Sequence, residues 1–320
     1  MFYRWLKNAH GVQFEFPLWR EKEVFISFKD DRGFAQSKKQ VSTDVTFRQA
    51  KQNHDYGDAI LDGGSLRPLP QEEQYAVIDA LTKIGNTEMT LSFMIALTTG
   101  ARLQSVFTLR QHHFLHSAPD SARDIRINSG YGTGIDTKNS KNTVLHIPVW
   151  LYRRVRIYAK SERAARRFDL SPHVYGSDSE QYIFLTRTGK PYYMASADPF
   201  LSLYRHPPRG ISVNAFIRQQ LIPELKASGH DFTFRFHDLR ATFGMNLLEN
   251  AIGTNKDARD DDVGQSSDTL WTALMNVQRR MGHSSITTTE RYLNYRKHYT
   301  VALSVQSEFE KHLMDIAASS

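Results

Sequence analysis

The sequence predicts a mainly α-helical protein that carries a small antiparallel β-sheet. Beyond residue 70, apolar residues recur at helical spacing through most of the chain, whereas three short strand-like segments fall together between 124 and 148. The chain has 320 residues, of which 40% are hydrophobic. That is a globular composition and enough chain for one large domain or two ordinary ones with a proper core. No internal repeat or low-complexity tract stands out.

Taken in order, Phe2, Trp5, Leu6 and Ala9 recur at helical spacing, so the chain opens as if within an amphipathic helix that Gly11 and then Pro17 end. From about 21 to 65 the residues are polar and weakly periodic, finishing at Asp62-Gly63-Gly64-Ser65. This stretch reads as a connector with little core of its own. A compact domain is expected from Leu66 onward. Pro70-Gln71-Glu72-Glu73 opens a helix with Tyr75, Ile78, Leu81 and Ile84 on one side, and a second helix through Leu91, Met94, Ile95 and Leu97 stops at Gly100. Strand-like segments follow at Asp124 to Asn128, Gly134 to Lys138 and Thr143 to Pro148, with Lys138 to Asn142 as a hairpin turn between the last two. Residues 151–170 hold seven basic side chains against two acidic ones, on a helix. Later helices are expected over 212–228, 238–250, 268–281, 284–295 and 301–317, with an acidic loop around Asp257 to Asp262.

Several classes of function are excluded at this level. There are no cysteines, so disulfides, thiolate metal sites and a thiol nucleophile are all ruled out. No apolar run approaches the length needed to cross a bilayer, and the first residues lack the order of a secretory signal. The formal net charge of +7 suits a polyanionic partner, because each phosphate neutralised by Lys or Arg releases counterions.

Three segments carry chemistry. Thr99-Gly100-Ala101-Arg102-Leu103 closes one helix and opens the next. Phe236-His237-Asp238-Leu239-Arg240-Ala241-Thr242-Phe243 begins another, and Met281-Gly282-His283 is followed nine residues after the histidine by Tyr292. Breaking a phosphodiester requires charge stabilisation on the non-bridging oxygens, a nucleophile, and a proton for the leaving oxygen. Arg102 and Arg240 suit the first task, since a guanidinium donates in a planar fork and stays charged. His237 and Arg240 are three apart and project from adjacent positions of one helix, while Leu239 and Phe243 anchor it. Gly282 lets the chain turn sharply and aim His283 at the same cleft. Tyr292 is the candidate nucleophile, with a phenol that needs nearby positive charge to ionise. Taken singly, each has a plainer reading as a surface arginine, a helix-start histidine or a packed tyrosine. Metal ligation by His237 and His283 lacks further acidic or histidine residues at ligand spacing.

Together, in this order and with this histidine-to-tyrosine spacing, the boxes resemble those of tyrosine site-specific recombinases, the phage-integrase family. The resemblance runs from about 66 to the end of the chain. It implies the tyrosine-recombinase catalytic-domain fold over 66–320, with 1–65 as the end of a core-binding-type helix plus an interdomain linker. It also implies that the chain is a fragment or a naturally truncated copy. Catalytic roles follow for Arg102, His237, Arg240, His283 and Tyr292, with a 3′-phosphotyrosyl intermediate on Tyr292. A hairpin lysine supplies the leaving-group proton, Lys138 by the family's placement with Lys141 as the alternative. Neither a metal nor a nucleotide cofactor is implied. The implied partners are double-stranded DNA attachment sites, further copies of the chain in a synaptic tetramer, and accessory DNA-bending or directionality factors. The implied setting is cytoplasmic and nucleoid-associated, for a prokaryotic or phage-encoded protein, with no membrane involvement. Lys141, Arg153, Arg154 and Arg156 are candidate phosphate contacts, although the basic run also reads as a solvated helix face. Ser105 stands where the family often has an acidic residue, three positions after Arg102. Three rivals remain, namely type IB topoisomerase-like cleavage, a non-catalytic DNA-binding relative, and a phosphate-binding protein unrelated to DNA.

Overall fold

The computed structural model describes residues 11, 13, 15, 21–29, 35–43, 59–256, 266–298, 310 and 314. The chain divides into two compact units, Met1–Asp55 and Tyr56–Ser320. In the first, strand β1 (Glu21–Lys29) pairs antiparallel with β2 (Ala35–Thr43), Glu21 opposite Thr43 and Lys29 opposite Ala35. The sequence reading made this stretch a connector. Its second strand, Ala-Gln-Ser-Lys-Lys-Gln-Val-Ser-Thr, is almost wholly polar. A two-stranded ladder satisfies its backbone groups without apolar alternation, so hydrophobic periodicity carries no signal there. The helix expected at the N-terminus and the acidic loop at 257–262 lie outside the described residues, as does the 301–317 helix apart from Glu310 and Met314.

The second unit opens with a short hairpin, β3 (Ile60–Leu61) against β4 (Ser65–Leu66), in which Ile60 faces Leu66. Helix α1 (Gln71–Ile84) follows Pro70, carries Glu72 and Glu73 in its first turn where the helix dipole favours them, and ends at Gly85 in the left-handed region, φ 69°. Its buried face is Ala76, Val77, Ala80 and Leu81. Tyr75, expected on the inner side, is 63% exposed, and its hydroxyl accepts a 2.9 Å hydrogen bond from Gln71 Nε2. The phenol's polar end is satisfied at the surface, and the small alanines allow closer packing within. Helix α2 (Thr87–Thr99) is capped by the Asn86 side chain, which accepts from the Met89 N–H. It is the central helix, with Met89, Phe93, Ile95 and Ala96 essentially inaccessible. Gly100, φ 67°, stops it, and Arg102 sits at the N-cap of the short α3 (Leu103–Phe107).

Strands β5 (Asp124–Ser129) and β6 (Thr143–Pro148) pair antiparallel, Asp124 opposite Pro148 and Ser129 opposite Thr143. The strand expected at Gly134 to Lys138 is absent. Gly132 and Gly134 have φ of 77° and 72°, which breaks an extended ladder, and Lys138–Ser140 forms a tight turn. Helices α4 (Val149–Ala159) and α5 (Glu162–Asp169) carry the basic run. Part of that charge is spent inside the fold. Arg163 and Arg167 both pair with the fully buried Glu88, at 2.8 and 2.9 Å. Helices α6 (Ile211–Phe216) and α7 (Ile222–Ala227) are joined through a π turn at Ile217–Leu221. Helices α8 (Asp238–Lys256), α9 (Ser266–Met281) and α10 (286–298) follow.

Among the described residues, two of the three apolar clusters in this unit bear on the site. The larger gathers Phe93, Phe107, Phe236 and Leu239 with residues of α1, α4 and α7. The smaller joins Ile60 and Leu66 of the hairpin to Phe243, Val277, Met281 and Tyr292. Helix α8 therefore spans both clusters, Leu239 in one and Phe243 in the other, which seats the second box between them. Gly100 is where the first box meets this seat. A Cβ there would lie 2.5 Å from Phe243 Cδ1 and 3.1 Å from Met281 Sδ, at a φ that L side chains rarely adopt. Gly100→Ala is therefore expected to lower unfolding stability by about 2–4 kcal/mol, the sum of a left-handed backbone cost and overpacking. A denaturant midpoint within error of wild type would contradict this packing.

Candidate active site

The three boxes, brought together from positions up to 190 residues apart, converge on one carboxylate that the sequence reading left in a linker. Asp62, at the tip of the β3–β4 hairpin, is 5% exposed. Its Oδ1 accepts from Arg102 Nη2 at 3.2 Å. Its Oδ2 accepts from Arg240 Nε at 2.8 Å, lies 3.1 Å from His283 Nε2, and accepts from the Tyr292 hydroxyl at 3.2 Å.

Each donor is positioned by its own element. Arg240, on the first turn of α8, is 4% exposed. Its Nη1 donates to the Gly100 carbonyl and its Nη2 to the Met281 carbonyl, both at 2.7 Å. One guanidinium thus ties the second box to the first and third and leaves Nε facing the cluster. Arg102 enters from the N-cap of α3, and its Nε is buried without a hydrogen-bond partner. His283 follows Gly282, φ 64°, and its Nδ1 is 2.9 Å from Thr289 Oγ1, which fixes the ring so that Nε2 faces Asp62. His237 lies just before α8, and its Nε2 is likewise buried without a partner. Tyr292 is fully buried on α10, its ring 5.6 Å from that of His283. It packs on α8 at Gly244, where a Cβ would come within 2.6 Å of Tyr292 Cε1. Helix α8 needs a glycine there to admit the ring.

Both lysine candidates border the same small cleft, about 40 Å³, beside Arg102, Thr143 and Gly282. Lys138 Nζ lies 3.1 Å from where a Cβ on Gly63 would stand, at the tip of the Asp62 turn. Lys141 Nζ donates to the Gly282 carbonyl at 3.0 Å and to Ser284 Oγ at 3.2 Å, so it is held on the third box. Ser105 donates to the Asp136 carbonyl at 2.7 Å rather than supporting Arg102. The outer candidates are more distant in role. Arg153 pairs with Asp120, Arg156 donates to the Leu115 carbonyl, and Arg154 lies over the Trp150 ring. Among the described residues, no group of three or more His, Cys, Asp or Glu side chains gathers as a metal site, and no helix is long and apolar enough to cross a membrane.

The electrostatics follow from a buried excess of positive charge. Burial pushes the Asp62 carboxyl up, but the His283 hydrogen bond and the Arg240 charge outweigh it and hold the group well below the usual carboxylate range. Burial, then the Asp62 charge, raises the Tyr292 phenol above its ordinary value, opposed by Arg240 and Arg102. Burial and the neighbouring Arg240 bring Arg102 down to about 10. Burial, then Arg102 and Arg240, lowers His237 to about 4, and burial lowers His283 as well. The cluster is therefore two guanidinium charges against one carboxylate, with neutral imidazoles and a protonated phenol.

Sequence reasoning named every donor in this cluster and missed its acceptor. A signal was present. Asp62-Gly63, flanked by Ile60-Leu61 and Leu66, has the composition of a tight hairpin turn, which would have moved the hairpin out of the linker.

No family model matches the chain, and no curated protein matches it. Among solved structures it is similar to XerA recombinase, with a TM-score of 0.41 and 17% identity over 73% of this chain and 62% of that one. It is also similar to the Tn1549 transposon integrase in complex with transposon right end DNA, with a TM-score of 0.43 and 16% identity over 76% of this chain and 67% of that one. The chain thus spans a little under two thirds of the XerA recombinase chain.

Because the folded-state pKa of His237 lies near 4, below the ordinary value of about 6.5, the unfolded chain binds the extra proton between those values. The stability this group contributes is full above about pH 6.5 and is lost as pH falls toward 4. His283 acts in the same direction. Unfolding free energy should therefore drop by on the order of 1–2 kcal/mol between pH 7 and 4.5, after solvent screening at the half-buried His237 ring. His237→Gln should flatten that slope in urea titrations; an unchanged slope would place the titration elsewhere.

Proposed function

We propose that this chain is a tyrosine site-specific recombinase that cleaves and rejoins DNA through Tyr292. The observation that carries the reading is the convergence of Arg102, Arg240 and His283 on one anionic group that also touches the Tyr292 hydroxyl. Such a set binds a phosphate and presents a nucleophile to it. The unpartnered Nε of Arg102 adds a further donor for a phosphate oxygen, and the unpartnered Nε2 of His237 adds a further polar atom beside it.

In this reading the scissile phosphate occupies the place that Asp62 Oδ1 and Oδ2 hold. Arg102 and Arg240 bind its non-bridging oxygens and hold the charge that grows in the transition state. The Tyr292 oxygen attacks phosphorus as its proton passes to the neutral His237 imidazole, the bond from phosphorus to the 5′ oxygen breaks, and that oxygen takes a proton from a lysine. The product is a 3′-phosphotyrosyl link and a free 5′ hydroxyl. A 5′ hydroxyl from a partner strand reverses each step, so the exchange conserves the number of phosphoester bonds. Lys138 is assigned the leaving-group proton, because it is exposed beside the turn that closes over the cluster while Lys141 is engaged with Gly282 and Ser284. Residues 66–320 serve as the catalytic domain together with the β3–β4 hairpin that leads into them, and the residues before that hairpin as a preceding module and linker. Duplex attachment sites are the substrate, four protomers form the synapse, and accessory factors set direction, in the nucleoid of a bacterial or phage host. Lys141, Arg153, Arg154 and Arg156 are assigned to the flanking duplex backbone.

Trapping on nicked suicide DNA tests the chemistry. Wild-type protein should form a covalent adduct that maps to Tyr292, and Tyr292→Phe should form none. Arg240→Lys should slow adduct formation by on the order of a hundredfold or more, since ammonium cannot hold both carbonyls and the phosphate. Equal DNA binding by wild type and Tyr292→Phe with no adduct from either would leave a non-catalytic binding protein. Relaxation of supercoiled DNA without strand exchange would favour topoisomerase-like action.

The lysine assignment is read separately, with a substrate whose 5′ bridging oxygen is sulfur. A thiolate leaves without a proton, so Lys138→Ala should be slow on the ordinary strand and near wild type on the sulfur-bridged one. Rescue of Lys141→Ala instead would reassign the proton donor.

A further inference from the structure

We propose that Asp62 is a built-in occupant of the phosphate site, holding the catalytic donors while no substrate is bound and giving way when a phosphodiester enters. The proposal rests on the phosphate-binding reading above and concerns how that same site is controlled.

Asp62 takes every contact that a bound phosphate would need first. Arg240 has Nη1 and Nη2 committed to the Gly100 and Met281 carbonyls, so Nε is the direction left toward the cleft, and Asp62 Oδ2 accepts from it. The same carboxylate engages Arg102, His283 and Tyr292. A second anion cannot share these donors without setting two negative charges side by side in a buried site, which is strongly unfavourable. Substrate binding therefore requires Asp62 to leave.

The carboxylate is also an incomplete match for the site. It is planar with two oxygens, and both are used, while Arg102 Nε and His237 Nε2 remain buried without partners. A tetrahedral phosphodiester spreads its oxygens over more directions and can meet donors that Asp62 cannot. Buried donors left unsatisfied are costly, so the exchange of carboxylate for phosphate is favoured by the groups Asp62 leaves empty.

The hairpin is built to let its tip move while its legs stay. Ile60 and Leu66 are each 1% exposed in the smaller cluster. The Leu61 carbonyl accepts from Arg291 Nη1 at 2.6 Å, and the Ser65 carbonyl accepts from Arg235. Between these pins the turn is Asp62-Gly63-Gly64, closed by the Asp62 N–H, which donates to the Ile60 and Gly64 carbonyls at 3.2 and 3.1 Å. Two successive glycines give the turn wide backbone freedom. An aspartate side chain is only one methylene long, so withdrawing its carboxylate from four donors loosens those turn bonds.

The test uses inorganic phosphate and the full chain without DNA, with affinity read by calorimetry. Asp62→Asn and Asp62→Ala should each bind phosphate at least about tenfold more tightly than wild type, and Arg240→Ala added to either should abolish the gain. Equal or weaker binding by Asp62→Asn would overturn the proposal and make Asp62 a positioning residue for the two arginines. Should either variant fail to fold by circular dichroism, wild-type protein still decides. Hydrogen exchange at the Asp62 amide should quicken as phosphate saturates the site; unchanged or slower exchange overturns the proposal. The adduct assay is scored apart. Tighter phosphate binding by Asp62→Asn with no covalent adduct from any variant would keep the occupant and reject the recombinase. An adduct from wild type, with phosphate affinity lost in Asp62→Asn, would do the reverse.

Discussion

The guanidinium of Arg240 is the constraint on which the rest of the site depends. It is nearly inaccessible, and it donates to the carbonyls of Gly100 and Met281 and to Asp62. These partners close the first box, the third box and the hairpin, so one side chain sets the relative position of three segments. A buried charge is tolerated only when paired and hydrogen-bonded, and removing one partner of such a pair typically costs about 3–5 kcal/mol. The arrangement makes use of that penalty. The position of the first and third boxes is tied to the presence of an anion at the remaining nitrogen, because only then does each of the three guanidinium nitrogens have an acceptor.

The second constraint is steric. Tyr292 is fully buried, and its ring lies against Gly244 one turn beyond Arg240 on the same helix. Helix α8 thus carries the arginine that meets the Asp62 carboxylate and the gap that receives the Tyr292 ring. Leu239 fixes the helix in the larger apolar cluster and Phe243 fixes it in the smaller. Burial that holds Tyr292 in place also keeps its proton on, and the neighbouring carboxylate adds to that effect. Geometry and reactivity are therefore set against each other in the resting site, and the balance turns on which anion sits between Arg102 and Arg240.

Much of this was legible in the sequence because it is local. Gly100 ahead of Arg102, the His237 and Arg240 pair, and Gly282 ahead of His283 each combine a backbone requirement with a side-chain type, and such pairs survive as motifs. Helices α1 and α2 announced themselves through Pro70 at the start of one and Gly100 at the end of the other. The parts that were not legible depend on pairing at a distance. Tyr75 fits the apolar stripe of α1 as well as Ala76 does, and only the tight packing of the small residues decides which face turns inward. The Gly134 to Lys138 segment has strand composition but lacks a partner, since β5 and β6 pair with each other. Asp62 lies in a polar stretch, and its meaning depends on Arg240, 178 residues further along.

That separation bears on why an acidic residue stands outside the boxes at all. Ser105, three positions after Arg102, turns its hydroxyl to the Asp136 carbonyl and leaves Arg102 without an acidic partner on its own helix. Two arginines facing one another in a buried cleft repel, and burial together with Arg240 already pulls Arg102 down to about 10. Something anionic must offset them if the cleft is to stay closed without substrate. An acid rigidly held on α3 would do so permanently and would compete with any anion that entered the cleft. An acid on a two-glycine turn offsets the same charge in the resting protein and can leave. The physical demand for a counter-charge is the same in both designs; placing it on the β3–β4 hairpin makes it exchangeable.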